Sequence, residues 1–575
     1  MDAKKVYEQW LNDPNIDSET KAELEAIKGN DAEIEDRFYM ELEFGTAGLR
    51  GVLGAGTNRM NKYVVCKATQ GLADYINTFF DGGENASSLK ALPGKEKAPD
   101  KAVAIACDSR HMSDEFSDFA AACLNANGIK TYVFESLRPT PELSYAIREL
   151  NCISGINITA SHNPAEYNGY KAYWADGAQI TPPYDKGIMD CVNAVTNLSS
   201  PKMMDKAEAI EKGLYVQIGQ DIDDKYIAEI LKQIKKPEIV KKQGATMKIA
   251  YTPLHGAGIK IVPEALKRAG FENVIIEPNQ AIPDGDFPTV PYPNPESAEA
   301  FKLVEALAIK EGCDMAIATD PDADRIGIHV PDKDGVFHEL SGNAIGCLLC
   351  EYELSRLAED GKLPADAAIV RSLVSSKLVD VIAKSYGAET KEVLTGFKWI
   401  GQEILKMEET GKGTYIFGFE ESYGYLIGTY ARDKDSCVAA LALAEVVAYY
   451  KDQGKCAWDA VCEMYEKHGY SVEETVSVTI KGSSGMKEIA GRMDALRENP
   501  PKELGGHVIT KVKDYNKPEE TGLPKANVMY FEMEDAWAAV RPSGTEPKIK
   551  YYVGARSTSE EGAVKMKDEI KNALA

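Results

Sequence analysis

The chain has 575 residues, of which 44% are hydrophobic and 27% charged, and a formal charge of −24. At roughly 150 residues per domain, this length predicts about four domains with separate cores and an ordinary globular composition. The acidic balance argues against a nucleic-acid or anionic-membrane partner, because both require basic stripes. The first residues, Met1-Asp2-Ala3-Lys4-Lys5-Val6, lack the apolar core of a signal peptide. The longest apolar run, Cys437 to Tyr450, contains Glu445 and is too short to span a bilayer. Eleven cysteines without framework spacing predict reduced thiols and a cytoplasmic protein. Cys347 and Cys350 form a C-x-x-C inside an apolar helical pattern and read as buried core rather than a redox or zinc pair.

A charged leader, residues 1–40, predicts an amphipathic helix lying on the body through Trp10, Leu11 and Leu24. Gly82 to Lys101, rich in Gly, Ser, Lys and Pro, reads as a surface insertion. Strands and helices then alternate: strand Val103 to Ala106, helix Glu115 to Asn125, strand Thr131 to Phe134, helix Leu143 to Leu150, strand Ile153 to Ile158. Repeated βαβ predicts a mostly parallel sheet. The rhythm returns with strands at Met247 to Tyr251, Val274 to Glu277 and Met315 to Ala318. It returns again with a strand at Ala368 to Val370, a helix over Lys377 to Ser385 and a strand at Thr414 to Gly418. Beyond residue 470 the pattern changes. Period-two alternation over Ser471 to Lys481, a breaker at Glu498-Asn499-Pro500-Pro501 and strands at Val528 to Phe531, Trp537 to Arg541 and Ile549 to Val553 predict a small antiparallel sheet, with a helix over Ser559 to Leu574. The fold class is therefore α/β. Three related α/β domains with mostly parallel mixed sheets, at 41–200, 201–335 and 336–465, precede a C-terminal α+β domain at 466–575.

Each α/β block ends a strand in a polar cluster, where open α/β sheets place their chemistry. In the first, Thr159-Ala160-Ser161-His162-Asn163-Pro164 follows the buried strand. A serine needs a base, a metal or strong positioning to act as a nucleophile, and His162 and Lys171 lie close by in sequence. The plain alternative is a turn in which Ser and Asn satisfy backbone groups. The second cluster, Asp320-Pro321-Asp322-Ala323-Asp324-Arg325, sets three carboxylates at alternate positions, a donor set for a hard cation. It is not an EF-hand: Arg325 stands where that loop needs Gly, and Pro331 where it needs Glu. The third, Gly418-Phe419-Glu420-Glu421-Ser422-Tyr423-Gly424, offers acceptors for sugar hydroxyls, or a capped helix start. Lys434, in Arg432-Asp433-Lys434-Asp435, is a candidate cation, although the segment reads locally as a solvated charged turn. Two further loops are basic and glycine-bearing. Arg541-Pro542-Ser543-Gly544-Thr545-Glu546-Pro547 suits a phosphate cradle. Phe44-Gly45-Thr46-Ala47-Gly48-Leu49-Arg50-Gly51 reads equally as linker or phosphate contact.

Together these five ordered segments, spanning about residues 40 to 560, resemble the α-D-phosphohexomutase superfamily, most closely its phosphoglucomutase and phosphopentomutase subgroup. The resemblance implies four domains around a central cleft. It implies that Ser161 carries a phosphoryl group and that Asp320, Asp322 and Asp324, with an oxygen on Ser161, hold one Mg²⁺. His162 and Lys171 match the acid–base candidates, and Arg50 and Arg325 match cleft arginines. Glu420 and Ser422 match the sugar-gripping pair. Thr395 and Gly396 resemble part of a further sugar-selecting loop. Arg541, Ser543, Gly544 and Thr545 match the loop that holds the non-reacting phosphate, with Thr46 and Lys434 as further substrate contacts. The implied activity is interconversion of α-D-glucose 1-phosphate and glucose 6-phosphate through a phosphoserine enzyme and glucose 1,6-bisphosphate. The implied partner is a small sugar phosphate, with no nucleic acid and no membrane; oligomeric state stays open. Pentose or mannose phosphates, or bisphosphate synthesis, are the alternatives within the superfamily. A serine phosphatase and a non-catalytic sugar-phosphate sensor rank below them.

Overall fold

The computed structural model describes residues 2–43, 48–198, 200–480, 485–543 and 548–574. The leader is not one amphipathic helix but three short ones, Ala3–Asn12, Ser18–Ala26 and Asp31–Phe38. The breaks have local causes. Asp17 caps the second helix by accepting the Glu19 and Thr20 N–H groups, and Asn30 caps the third by accepting that of Glu33. Trp10 packs edge-on against Phe38 and Tyr63, which seats the leader on the body.

The first sheet has six strands in the order Gly48–Val52, Tyr167–Trp174, Cys152–Ile158, Asp100–Cys107, Lys130–Phe134, Tyr215–Ile218. The last four run parallel, and the first two are antiparallel additions. The second sheet is ordered Phe337–Glu339, Ile326–Pro331, Met315–Thr319, Lys248–Thr252, Asn273–Ile276, and the third Glu389–Val393, Ala367–Ser372, Thr414–Glu420, Gly424–Ile427. Both mix parallel strands with antiparallel partners. The fourth sheet, Tyr470–Thr479, Lys548–Ser557, Ala536–Pro542, Met529–Glu532, Lys511–Asp514, is wholly antiparallel. The chain is thus α/β with three mixed sheets followed by an α+β unit.

The three mixed sheets share one device. A parallel strand runs into a short loop and returns as an antiparallel neighbour: Cys152–Ile158 to Tyr167–Trp174, Met315–Thr319 to Ile326–Pro331, and Thr414–Glu420 to Gly424–Ile427. Each loop carries one non-glycine residue at positive φ: Ser161 at 53°, Ala323 at 51° and Tyr423 at 64°. Such backbone costs about 1–3 kcal/mol per residue and persists only where its surroundings over-determine it.

A continuous apolar core joins the three α/β units, running from Leu143 and Ile147 through Tyr251 and Met315 to Phe417. The apolar run from Cys437 lies in the helix Ser436–Asp452 at the heart of this core. Cys347 and Cys350 are buried there too, and all eleven cysteines are free. The fourth unit has its own core around Phe531, Val540 and Val553, and meets the third through Leu373, Val374, Tyr530 and Trp537. Among the described residues, no helix is long and apolar enough to cross a membrane.

Candidate active site

Ser161 stands at the carboxyl end of a wholly buried strand and is itself nearly buried. Its N–H donates to Thr159 Oγ1 at 2.8 Å, which shapes the turn. The loop is clamped from outside by Arg110. That guanidinium donates to the carbonyls of Ser161 at 2.6 Å, Pro164 at 2.8 Å and Tyr167 at 3.0 Å, and also to that of Asn163. Asp108 lies 3.3 Å from Arg110 Nε and accepts Thr159 Oγ1–H at 2.6 Å. A buried ion pair and four carbonyls therefore fix the backbone that presents Ser161. The Ser161 hydroxyl donates to Asp320 Oδ2 at 2.7 Å, and its oxygen lies 3.2 Å from His162 Nδ1.

Asp320, Asp322 and Asp324 are all buried, and one oxygen from each lies within 4.8 Å of the others. Asp320 Oδ1 accepts the N–H groups of Asp324 at 3.1 Å and Arg325 at 3.0 Å, so the loop wraps around its own first carboxylate. Asp322 Oδ1 and Asp324 Oδ1 are buried without a hydrogen-bond partner. Buried, unpartnered carboxylate oxygens are costly unless a cation or a proton meets them. The donor set is all oxygen, which suits a hard divalent ion. The three aspartates thus fit a metal site.

Burial pushes Asp320 well above the usual carboxylate range, and its neighbours Asp324 and Asp322 push it further. Burial would raise Asp324 as well, but Lys171, Lys434 and Arg325 hold it below that range. Lys171 Nζ lies 2.7 Å from Asp322 Oδ2 and 3.2 Å from Asp324 Oδ2, and Lys434 Nζ 3.2 Å from Asp324 Oδ2. Burial disfavours the charge on both lysines, yet the aspartates raise their pKa values above that of a free lysine. His162 is shifted the other way: burial, then the charges of Arg325 and Arg50, push it well below its ordinary value.

The segment Arg432 to Asp435 is not the solvated turn its local sequence suggests; all four residues are buried. Each charge has a distant partner. Arg432 meets Glu408, Asp433 accepts Tyr173 O–H at 2.9 Å and Gln179 Nε2–H at 3.0 Å, and Asp435 accepts Tyr226 O–H at 2.8 Å. Asp435 also caps the core helix through the N–H groups of Cys437 and Val438. That network delivers Lys434 from the third unit to the aspartates of the second.

A cleft of about 920 Å³ opens in front of Ser161. It is lined by Arg50, His162, Lys171, Asp324, Arg325, Thr395, Gly396, Glu420, Ser422, Lys434 and Arg541. Asp320 and Asp322 lie beneath this lining. Arg50 donates to Asn163 Oδ1 at 3.2 Å, and Arg325 pairs with Glu296 at 2.6 Å. Glu420 Oε1 accepts the Gly396 N–H at 2.6 Å, tying two predicted sugar contacts together. Ser543 is half-buried beside Arg541, its N–H on the Lys548 carbonyl at 2.7 Å. Thr46, Gly544 and Thr545 lie outside the described residues.

Sequence reasoning missed Arg110, Glu296 and Lys550. Lys550 lines the cleft and is the cross-strand neighbour of Arg541, and burial and that arginine lower its pKa. The signal for Lys550 was its strand position, since directly opposite residues on paired strands share a face. For Arg110 the signal was the polar Asp108-Ser109-Arg110 after an apolar strand.

Four domain models of one family match in order: phosphoglucomutase/phosphomannomutase α/β/α domain I at residues 41–199, domain II at 224–335, domain III at 341–480 and the C-terminal domain at 488–572. A phosphoglucomutase from Staphylococcus haemolyticus is 35% identical over 533 residues, covering 90% of this chain and 91% of that one. A phosphoglucomutase from Staphylococcus aureus is 34% identical over 560 residues, covering 96% and 95%. Among solved structures, the open form of the Paramecium phosphoprotein pp63/parafusin, a phosphoglucomutase, superposes with a TM-score of 0.68 at 18% identity, covering 93% of this chain and 95% of that one. A phosphoglucomutase/phosphomannomutase family protein from Burkholderia thailandensis gives 0.65 at 19% identity, covering 92% and 96%. The chain belongs to the phosphoglucomutase/phosphomannomutase family and is a phosphohexomutase, an enzyme of the isomerase class.

Proposed function

We propose that this enzyme is a cytoplasmic phosphoglucomutase that interconverts α-D-glucose 1-phosphate and glucose 6-phosphate through a phosphoserine at Ser161. The observation that carries the reading is the 2.7 Å contact between Ser161 Oγ and Asp320, at a cleft whose lining also holds Arg541 and Lys550. Phosphoryl transfer is mainly positioning and charge neutralisation, and this arrangement supplies both.

In this reading each of the four units, 41–200, 201–335, 336–465 and 466–575, contributes one loop. Arg541 and Lys550 bind the phosphate that does not react, with Ser543, Gly544 and Thr545 completing the cradle. Glu420 and Ser422 hold the sugar hydroxyls, next to Thr395 and Gly396. The free hydroxyl of the sugar then faces phosphorylated Ser161. The bond from phosphorus to the serine oxygen breaks as the bond to the sugar oxygen forms. His162, beside the serine oxygen, takes the proton that the sugar hydroxyl releases, and Lys171, kept charged by Asp322 and Asp324, acts on the acid side. Arg50 and Arg325 face the negative charge in the cleft. A Mg²⁺ held by Asp320, Asp322, Asp324 and an oxygen on Ser161 would act as a Lewis acid on the transferring group. Glucose 1,6-bisphosphate turns over in the cleft and returns its other phosphate to Ser161. The cradle must accept either end of the sugar, which favours closure of the fourth unit over bound substrate.

The test is steady-state kinetics on a panel of glucose, mannose, ribose and deoxyribose phosphates, with inorganic phosphate followed in parallel. Glucose phosphates give the highest kcat/KM and no net phosphate release. A higher value for a pentose or mannose phosphate would reassign the substrate, and stoichiometric phosphate release would reassign the reaction.

A further inference from the structure

We propose that Thr140 is a positioning residue for the metal site: held by Asn157, its hydroxyl anchors one oxygen of Asp322 and leaves the other for the cation. The inference rests on the reading of Asp320, Asp322 and Asp324 as metal ligands. Thr140 opens the helix Thr140–Glu149 in the first unit, 182 positions before Asp322. Its Oγ1 donates to Asp322 Oδ2 at 2.6 Å and accepts Asn157 Nδ2–H at 2.6 Å. The direction follows from the donors: the Asn157 amide nitrogen can only donate, so Thr140 Oγ1 accepts there and gives its own single proton to Asp322 Oδ2. The Thr140 N–H also donates to the Asp322 carbonyl at 2.8 Å. Side chain and backbone of one residue therefore hold side chain and backbone of the other.

All three side chains are fully buried, so water does not compete for these bonds. Asp322 Oδ2 accepts twice, from Thr140 and from Lys171 at 2.7 Å. Oδ1 is left as the oxygen without a partner. A carboxylate turns in a broad, two-fold torsional well, so an unanchored Asp322 would present either oxygen or neither. The anchor removes that freedom. Lys171 cannot supply it alone, because it is flexible and is shared with Asp324. Asn157 stands on the strand that leads to Ser161, so the chain Asn157–Thr140–Asp322 also sets the serine unit in register with the aspartate unit. Outer partners of this kind typically change metal affinity by about 10–100-fold when removed.

The test uses the full chain with Ser161 unmodified, and Mn²⁺ as the probe, read from the electron paramagnetic resonance signal of the free ion. Thr140→Val keeps the shape and removes the hydroxyl. It weakens Mn²⁺ binding about tenfold or more, and Thr140→Ser restores binding to nearly the wild-type value. Thermal melting without metal is run alongside, since a merely structural threonine would lower the melting temperature and leave affinity unchanged. That result would overturn the proposal. Should Thr140→Val fail to fold, Thr140→Ala carries the same expectation and the same refutation. A wild-type protein that bound no Mn²⁺ would overturn the metal reading itself, whereas equal binding by wild type and folded variant would remove only Thr140.

Discussion

Ser161 Oγ lies 2.7 Å from Asp320 Oδ2, although 159 positions separate them in the chain. Each stands at the carboxyl end of a parallel strand, in a different sheet, just before that sheet's antiparallel return. The same loop in the third sheet carries Glu420 and Ser422 into the cleft. Three copies of one structural device thus converge on one cavity with three kinds of group: a serine hydroxyl, a carboxylate cluster and a set of cleft-facing polar acceptors.

Replacing Ser161 with alanine removes the hydroxyl proposed to carry the phosphoryl group and one contact to Asp320. The Arg110 clamp binds carbonyls and is untouched. Turnover falls below detection while the melting temperature stays near that of the wild type. A retained rate in Ser161→Ala would reject the nucleophile.

Lys434→Met should lower stability as well as activity. It leaves Asp324 with Lys171 and Arg325 and strips Asp433 of its nearest cation. Removing one partner from a buried pair costs about 3–5 kcal/mol, toward the lower end here because Lys171 remains. Thermal melting would show a clear drop; a variant that melted with the wild type would mean the lysine is not paired in the folded state.

Gly256→Ala probes the seating of the aspartate loop from below. A Cβ at Gly256 would meet Pro321 Cα at 2.3 Å and its carbonyl oxygen at 2.5 Å. Backbone cannot step aside cheaply, so the Asp320–Asp324 loop shifts, at a cost of about 1–3 kcal/mol in overpacking. Activity and divalent-metal affinity fall together. Normal affinity in a folded Gly256→Ala protein would show that the loop does not depend on this contact.

Glu445 predicts a pH dependence away from the active site. Its carboxylate accepts the Lys235 N–H at 2.8 Å and that of Lys236, and Glu353 and Tyr352 face it from the helix Gly342–Glu359. Burial pushes its pKa from the ordinary 4.5 to about 7, with the Glu353 charge adding and the N–H groups opposing. A raised carboxyl favours the folded state when protonated. Its contribution is therefore full below pH 4.5 and is lost as the pH rises through 7, a change of about 3 kcal/mol. Glu445→Gln keeps an acceptor and removes the titration. Its melting temperature gains on that of the wild type between pH 5 and pH 8; parallel curves would refute the assignment.

Local chemistry was legible in the sequence where a motif is contiguous. Ser161-His162 and Asp320 to Asp324 each sit on a few consecutive residues after an apolar strand, and a strand end is where such residues act. What was not legible depends on partners far apart in the chain. Arg110 reaches carbonyls more than fifty positions on, and Thr140 meets Asp322 across two units. Lys434 looked solvated because its neighbours are charged, and only the distant Tyr173, Gln179 and Glu408 show why that segment is buried. The antiparallel strand Tyr167–Trp174 has a nearly uniform burial pattern, so it offered little alternation to read. The leader misled because its apolar residues fit one helix while Asp17 and Asn30 start new ones.

The most direct test of a phosphoryl-carrying Ser161 is the intact mass of the purified protein, before and after addition of a glucose monophosphate in excess. One phosphate per chain, mapped by fragmentation to Ser161 and discharged by the sugar phosphate, is the predicted result. A phosphate that stayed in place, mapped to another residue, or could not be installed by glucose 1,6-bisphosphate would contradict it.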